Sequence, residues 1–325
     1  MRSVKEILAP VESDLRDFKL YYEQLQDAPS RSINYVLRYL LRQGGKQLRP
    51  ALVYLSARTA GQVSEMTRVA AAMVELVHNA SLIHDDVVDQ ADLRRGLPAV
   101  YKIWKTKAAV LAGDYILAQG LKLAVETGHY VLLEYLNHAV QEMSMGELEQ
   151  LRRARKSQLD VEGYFHVIRG KTAELLSVCT ATGALSAGAD SSTIDLFKQF
   201  GIQIGIAFQI RDDILDFTTP SSLFGKLPGN DIKEGKITLP LLYALELLET
   251  AERKEKLRAI RRAKKNVLVR EKLIRWVRST DALERAEQKV AEITEQAKHL
   301  LAPVPDSEAK QALFELADYL VARKK

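Results

Sequence analysis

Apolar residues return every three or four positions through nearly the whole of this chain, and that rhythm restricts it to helices. Ile33, Val36, Leu37, Leu40 and Leu41 mark one such face; Leu283, Ala286, Val290, Ile293 and Ala297 mark another. No segment alternates apolar and polar residues as a half-buried strand would. Breaks fall at Gly44-Gly45, Gly61, Gly96 to Pro98, Thr127-Gly128, Gly188 to Ser192 and Pro303 to Pro305, and all are short. The exception is 218–235, where TTPSSLFGKLPGNDIKEG makes a long loop, a kind that usually carries function. A hydrophobic content of 47% over 325 residues is ample for a large core. No linker composition, low-complexity tract or solenoid period divides the chain. The expectation is an all-α, single-domain helical bundle over 1–325, with the part past Glu249 packed on a core laid down earlier.

Cysteine usage and charge narrow the setting. The lone Cys179 has no internal partner and lies in an apolar helical pattern, so it reads as a buried core thiol in a reducing compartment. The first residues mix charges into every turn, and no uncharged apolar run reaches about 18 residues, which points to a cytoplasmic chain that does not span a membrane. Net charge is +5, and much of the excess lies in 253–278, with twelve Lys or Arg against Glu255 and Glu271. A solvated helical face is the plainest meaning of that run; peripheral contact with anionic lipid is the alternative. Nothing resembling a zinc site, an RNA-binding aromatic signature or a basic zipper accompanies it, so no nucleic-acid partner is expected.

The chemistry concentrates in acid. In LIHDDVVDQADLRRG, Asp85, Asp86 and Asp89 fall within little more than one turn at the end of an apolar helix, with Asp85 and Asp89 on one face. Like charges so placed repel, and the C-terminal end of a helix dipole opposes them further, so the cluster calls for cations. Hard oxygen donors suit Mg²⁺, which takes one or two carboxylates and completes its shell with water and phosphate oxygens. Arg94 and Arg95 follow with forked donors suited to phosphate. The spacing repeats 127 residues later in IAFQIRDDILDFTTP, as Asp212, Asp213 and Asp216 on another apolar helix. Two such turns in one helical domain can face each other across a cavity, with metal ions and a diphosphate between them.

Cationic groups stand where a diphosphate would need them: Lys46 and Arg49 in GGKQLRP, His78 seven residues before Asp85, Lys171-Thr172 in IRGKTAELL, and Lys226, Lys233 and Lys236 in or beside the long loop. The Gly170-Lys171-Thr172 run is not a nucleotide loop, because the required upstream glycine is Phe165 and no strand precedes it.

These residues resemble the trans-isoprenyl diphosphate synthase, or polyprenyl synthetase, family. The likeness runs in order through GGKQLRP, ELVHNASLIHDDVVDQADLRRG, AVLAGDYILA, GKTAELL, FQIRDDILDF and GKLPGNDIKEGKITLPLL, over the first three quarters of the chain. It implies helices around a deep central hydrophobic cavity, and a homodimer. It implies that Lys46, Arg49, His78 and Arg95 hold isopentenyl diphosphate. Asp85, Asp89 and Asp212 would bind roughly two or three Mg²⁺ ions with the allylic diphosphate, with Asp86, Asp213 and Asp216 as supporting acids. Arg94, Lys171, Gln209, Lys226 and Lys236 would grip that diphosphate, with Thr172 near its reacting end. A helix break at Lys171-Thr172 and the Gln209 amide would present dipoles to a carbocation. No side chain is an obvious general base, and the released pyrophosphate is expected to take the proton.

In such enzymes bulk just before the first aspartate limits product length. Here those positions are the small Ala80 and Ser81, and Val77, Met73 and Ala70 further up are modest. At about 1.5 Å per residue, a helix from Gly61 can line a tunnel of roughly 30 Å. The resemblance is therefore to long-chain members, with a product of about eight units built on a farnesyl, geranylgeranyl or shorter primer. Leu132, Tyr135 and His138 are candidates for the tunnel floor. A geranylgeranyl or other medium-chain synthase, and the catalytic subunit of a heteromeric synthase, are the nearest alternatives. A terpene cyclase has no use for GGKQLRP and His78, and a non-catalytic partner subunit has no use for both acid triads.

Overall fold

The computed structural model describes residues 2–25, 30–42, 47–94, 96–156, 160–219 and 228–322. Its helices are α1 (Val4–Ile7), α2 (Glu12–Gln24), α3 (Arg31–Arg42), α4 (Leu48–Ala60), α5 (Glu65–Val88), α6 (Val100–Glu126), α7 (Val131–Lys156) and α8 (Val161–Ile168). They continue as α9 (Glu174–Ser186), α10 (Ser191–Thr218), α11 (Asn230–Glu234), α12 (Leu239–Glu246), α13 (Thr250–Ala263), α14 (Val267–Arg278), α15 (Ala282–Leu300) and α16 (Glu308–Ala322). A 3₁₀ turn covers Ala9–Val11 and a π turn covers Arg169–Ala173. The all-α expectation holds. The one departure among the described residues is a minimal hairpin, β1 (Leu93–Arg94) with β2 (Leu97–Pro98), whose turn contains Gly96 at φ +80°. Two residues per strand are too few for an alternating pattern to register.

The chain divides into two compact units, each discontinuous in sequence: 1–140 with 175–201 and 301–316, and 141–174 with 202–300 and 317–325.

In the first unit, α4 and the part of α9 it contains are buried nearly all round, as helices apolar on every face must be. Two of the hydroxyls this buries in α9 are satisfied by main-chain carbonyls: Thr182 Oγ1 donates to Val178 O (2.6 Å), and Thr180 Oγ1 to Phe197 O (2.6 Å). Helix α5 starts at Ser64, whose N–H donates to Thr67 Oγ1 (3.0 Å). Helix α6, interrupted at Lys105 (φ +71°), lays Ala109, Ala112, Ile116, Leu123 and Ala124 into the core. It is long and apolar enough to cross a membrane by composition, but this buried seam, packed on α5, already gives its apolar character a use. Cys179 is fully buried, its thiol donating to Leu175 O (3.1 Å) and pushed up to about 12 by burial.

In the second unit, one core joins Tyr164 and Ile168 to Ile202, Ile206, Ile210 and Ile214 of α10, with Leu239 and Leu242 of α12 and Val290 and Ile293 of α15. A second joins Phe217 and Ile232 to Leu241 and Leu245, and to Ile260 of α13 and Leu273, Ile274 and Val277 of α14. Gly146 and Gly170 let α7 touch the π turn backbone to backbone, since a Cβ on either would sit 2.8 Å from a main-chain atom of the other segment.

Candidate functional site

In the first unit the acid triad closes α5. Asp89 is the C-cap, Gln90 takes the left-handed conformation (φ +51°), and Ala91 N–H donates back to Asp86 O (3.0 Å). This six-to-one bond ends the helix and turns the chain into the hairpin. The hairpin returns Arg94 to the triad: its Nε donates to Asp86 Oδ1 (2.9 Å), and its Nη2 donates to the same oxygen. Asp86 is 2% exposed, and a buried carboxylate needs such a partner. Part of the Arg94 guanidinium, assigned from sequence to the allylic diphosphate, is thus committed to Asp86. Asp85 and Asp89 are half-buried.

One helix away, Arg49 Nη1 meets His78 Nε2 at 2.8 Å. A guanidinium only donates, so Nε2 is the acceptor in this contact. The residues chosen for chain length lie on the same helix: Ala80 is buried, and Ser81 is half-buried with its hydroxyl returned to His78 O (2.9 Å). Of the proposed floor residues Leu132 is buried, Tyr135 half-buried and His138 exposed, so His138 is not in the core of this unit. Lys46 and Arg95, assigned to isopentenyl diphosphate, lie outside the described residues, as does Lys226.

In the second unit the sequence-assigned residues converge. A cavity of about 110 Å³ is lined by Lys171, Thr172, Gln209, Asp213, Asp231 and Lys236, with Tyr164, Val167, Ile168, Ile237 and Leu242 as apolar wall. The π turn carries the first two of these. A π turn adds a residue to the helical repeat and breaks the regular bonding pattern, a distortion common at functional sites. The anticipated helix break near Lys171-Thr172 therefore has a definite form. Lys171 is ion-paired to Glu147 of α7. Thr172 Oγ1 donates to Gln209 Oε1 (2.7 Å), and Gln209 Nε2 donates to Asp213 Oδ1 (2.9 Å). Tyr164 OH donates to the other Asp213 oxygen (2.6 Å), completing a relay that fixes the amide orientation of Gln209.

Burial pushes Asp213 up to about 7, against the pull of the Tyr164 and Gln209 hydrogen bonds. Asp216 is raised by burial too, although its carboxylate accepts Asn230 N–H (3.0 Å) and Asp231 N–H (3.1 Å) at the start of α11. Asp231 is raised well above the carboxylate range, first by burial and then by Asp216 and Asp213. Lys236 is paired with Glu234. Asp212 is half-buried and lies outside the cavity wall; Lys233 is exposed and is not part of that wall either.

The donor set fits magnesium. The acids supply hard oxygens, and three carboxyls pushed up by burial and mutual repulsion form an environment that a cation would relieve. Among the described residues no three His, Cys, Asp or Glu side chains converge closely enough to cage an ion alone. Magnesium shared between one or two carboxylates, water and phosphate requires no such cage.

Sequence reasoning passed over Tyr164, Glu147 and Asp231. Tyr164 acts on an acid 49 positions away, with no local mark of the pairing. Asp231 stood within the GNDIKEGK run, and its position before two lysines and a glutamate in a functional loop was a usable signal.

The model of the family described as Polyprenyl synthetase matches residues 30–277. The chain is 37% identical over 285 residues to heptaprenyl diphosphate synthase component 2 of Geobacillus stearothermophilus, covering 88% of each chain. It is 35% identical over 308 residues to nonaprenyl diphosphate synthase of Mycobacterium tuberculosis, covering 93% of this chain and 91% of that one. Among solved structures, a polyprenyl synthase from Caulobacter crescentus complexed with calcium and isoprenyl diphosphate superposes with a TM-score of 0.91 at 34% identity, covering 99% and 98% of the two chains.

Proposed function

We propose that this chain, which belongs to the polyprenyl synthetase family and is a prenyltransferase of isoprenoid biosynthesis, is a long-chain trans-polyprenyl diphosphate synthase whose product has about eight isoprene units. Each cycle joins isopentenyl diphosphate to an allylic diphosphate. The allylic carbon–oxygen bond ionises, the isopentenyl double bond attacks the cation, and the departing pyrophosphate takes the proton. The observation that carries the reading is the relay Thr172–Gln209–Asp213–Tyr164 at a cavity that also gathers Lys171 and Lys236.

Each group has a task. Lys171 and Lys236 supply positive charge to the diphosphate, as preorganised electrostatic stabilisation of a developing anion. Thr172 and Gln209, held by the relay, present oxygen dipoles from fixed positions, so little reorganisation accompanies the build-up of allylic charge. Arg49, kept in register by His78, takes the diphosphate of the second substrate. Asp85, Asp89 and Asp212 would hold Mg²⁺, which when bound neutralises charge on the leaving pyrophosphate. One catalytic domain over the whole chain completes the proposal, as does a homodimer. Helix α6 leaves Val110, Leu111 and Val125 exposed on the first unit, a face suited to a second copy.

For chain length the supporting features are Ala80 and Ser81 ahead of Asp85, together with relatives named for seven and nine units. Incubation with radiolabelled isopentenyl diphosphate, farnesyl diphosphate and Mg²⁺, then sizing of the dephosphorylated products, tests this. A ladder ending near eight units supports it; termination at four units assigns a medium-chain enzyme. Ser81→Phe, which fills the space beside the helix, is expected to shorten the ladder by one or more units, about one turn of tunnel. An unchanged ladder would place the tail elsewhere. Light scattering at assay concentration is expected to give twice the chain mass; if a second, different subunit is needed for turnover, the homodimer reading fails.

A further inference from the structure

Helices α13 and α14 form an antiparallel hairpin at the surface of the second unit, closed by Lys264–Asn266. Two contacts fix its register: Arg270 Nη1 donates to Ala263 O (3.1 Å), and Lys256 Nζ lies 4.7 Å from the centre of the Trp276 ring. The inward sides, with Ile260, Ala263, Leu273, Ile274 and Val277, are buried. By that register the outward sides place Arg258 level with Arg275 along the hairpin, and Arg262 level with Lys272.

That outward surface is strongly one-signed. Arg258, Arg262, Lys265, Lys272 and Arg275 are all exposed and form no ion pair among the described residues; Glu271 is the acid set among them, with Glu255 further along α13. At the closed end, where the cations are densest, Leu268 is 69% exposed and Val267 is 42% exposed, at the start of α14. Burial elsewhere in α14 follows helical spacing, so neither residue is needed by the core.

An apolar tip ringed by unpaired cations has the chemistry of a membrane-surface anchor. The cations are drawn to anionic headgroups while their methylene stems and the apolar tip enter the headgroup boundary. Nucleic acid would use the same charge but has no use for an exposed Leu-Val tip that lacks an aromatic stacking partner. We infer that the α13–α14 hairpin docks this protein on anionic lipid bilayers, led by Leu268 and held by the five surrounding cations. The docking rests on this patch alone. Its benefit to the reaction rests on the synthase reading, since a long prenyl diphosphate is an amphiphile that leaves most readily into a bilayer.

The full chain, without substrate, is floated with vesicles of phosphatidylcholine containing phosphatidylglycerol, and with phosphatidylcholine alone. Flotation with the anionic vesicles alone, weakened by raising salt from 0.05 to 0.5 M, is the result the inference requires. Each cation removed is expected to weaken binding about fivefold, so the triple variant R258A/K265A/K272A should lose about a hundredfold. Leu268→Ser should lose a smaller but measurable several-fold. All these positions are exposed, and an unchanged circular dichroism melt establishes that the variants fold. A control triple, K5A/R16A/K107A, matches the charge change on other helices and is expected to float like the parent. Equal flotation with neutral vesicles, no flotation at low salt, or equal weakening by the control would overturn the inference. So would tight binding to a short DNA duplex that survives Leu268→Ser in a protein that does not float. Because no turnover is measured, failure here leaves the synthase reading intact, and loss of turnover leaves the docking result intact.

Discussion

The two acid triads have identical spacing and opposite surroundings. In the first, the middle acid, Asp86, is neutralised by a cation, Arg94, delivered by a short hairpin. In the second, the middle acid, Asp213, receives two neutral donors, Tyr164 and Gln209, and burial raises it to about 7. One middle acid is ion-paired by a neighbouring guanidinium; the other is held by neutral donors with only the more distant charge of Lys236 in its favour, and the proposed metal ions would add positive charge there. The same motif can thus be held ready in two ways, and the spacing of the aspartates does not distinguish them.

The largest effect is expected at the acids assigned to metal. Asp85→Ala and Asp212→Ala should each reduce turnover by at least about a thousandfold while the helical circular dichroism signal is retained. Near-normal activity in either variant would remove that triad from the metal assignment.

The next effect separates the triads by stability. Arg94→Ala removes the guanidinium from a buried carboxylate and should destabilise the protein by about 3 kcal/mol in urea unfolding. Tyr164→Phe removes one neutral donor from an acid that can accept a proton, so the loss should be nearer about 1 kcal/mol. Equal losses would erase the distinction.

A pH series on chelator-treated protein sharpens the same contrast. Asp213 is raised from 3.8 to about 7 on folding, so across that window the unfolded state ionises while the folded state holds its proton. Stability should therefore fall as pH rises from about 4 to about 7 and level off above, with Asp216 and Asp231, also raised, adding in the same direction. Asp213→Asn should flatten that slope, and added Mg²⁺ with pyrophosphate should oppose it. A slope of the opposite sign would contradict the burial argument.

Much of this was legible in the sequence because it is local. Helical periodicity and the triads each occupy one or two turns, where spacing maps directly onto geometry, whereas the Lys171-Thr172 break was expected only from the family resemblance. What escaped is what depends on distant partners. That Arg94 would turn back onto Asp86 follows from a left-handed Gln90 and a hairpin of two-residue strands, neither of which leaves a periodic trace. Tyr164 sits on an apolar helix, where nothing marks its hydroxyl as the partner of Asp213. The exposed Leu268 was hidden for the converse reason, because in the sequence it continues the apolar rhythm of α14 and only burial shows that it faces solvent.

The central proposal is that Asp85 and Asp212 both serve the binding of a magnesium-bound diphosphate. Its most direct test is a double-mutant cycle in binding. Isothermal titration would measure an unreactive allylic thiolodiphosphate, with Mg²⁺, against the parent, Asp85→Asn, Asp212→Asn and the double variant. The account predicts strong coupling, with the double variant losing less than the sum of the singles by at least about 1 kcal/mol, and with no difference among the four once Mg²⁺ is chelated. Strictly additive losses, or a cycle indifferent to Mg²⁺, would contradict it.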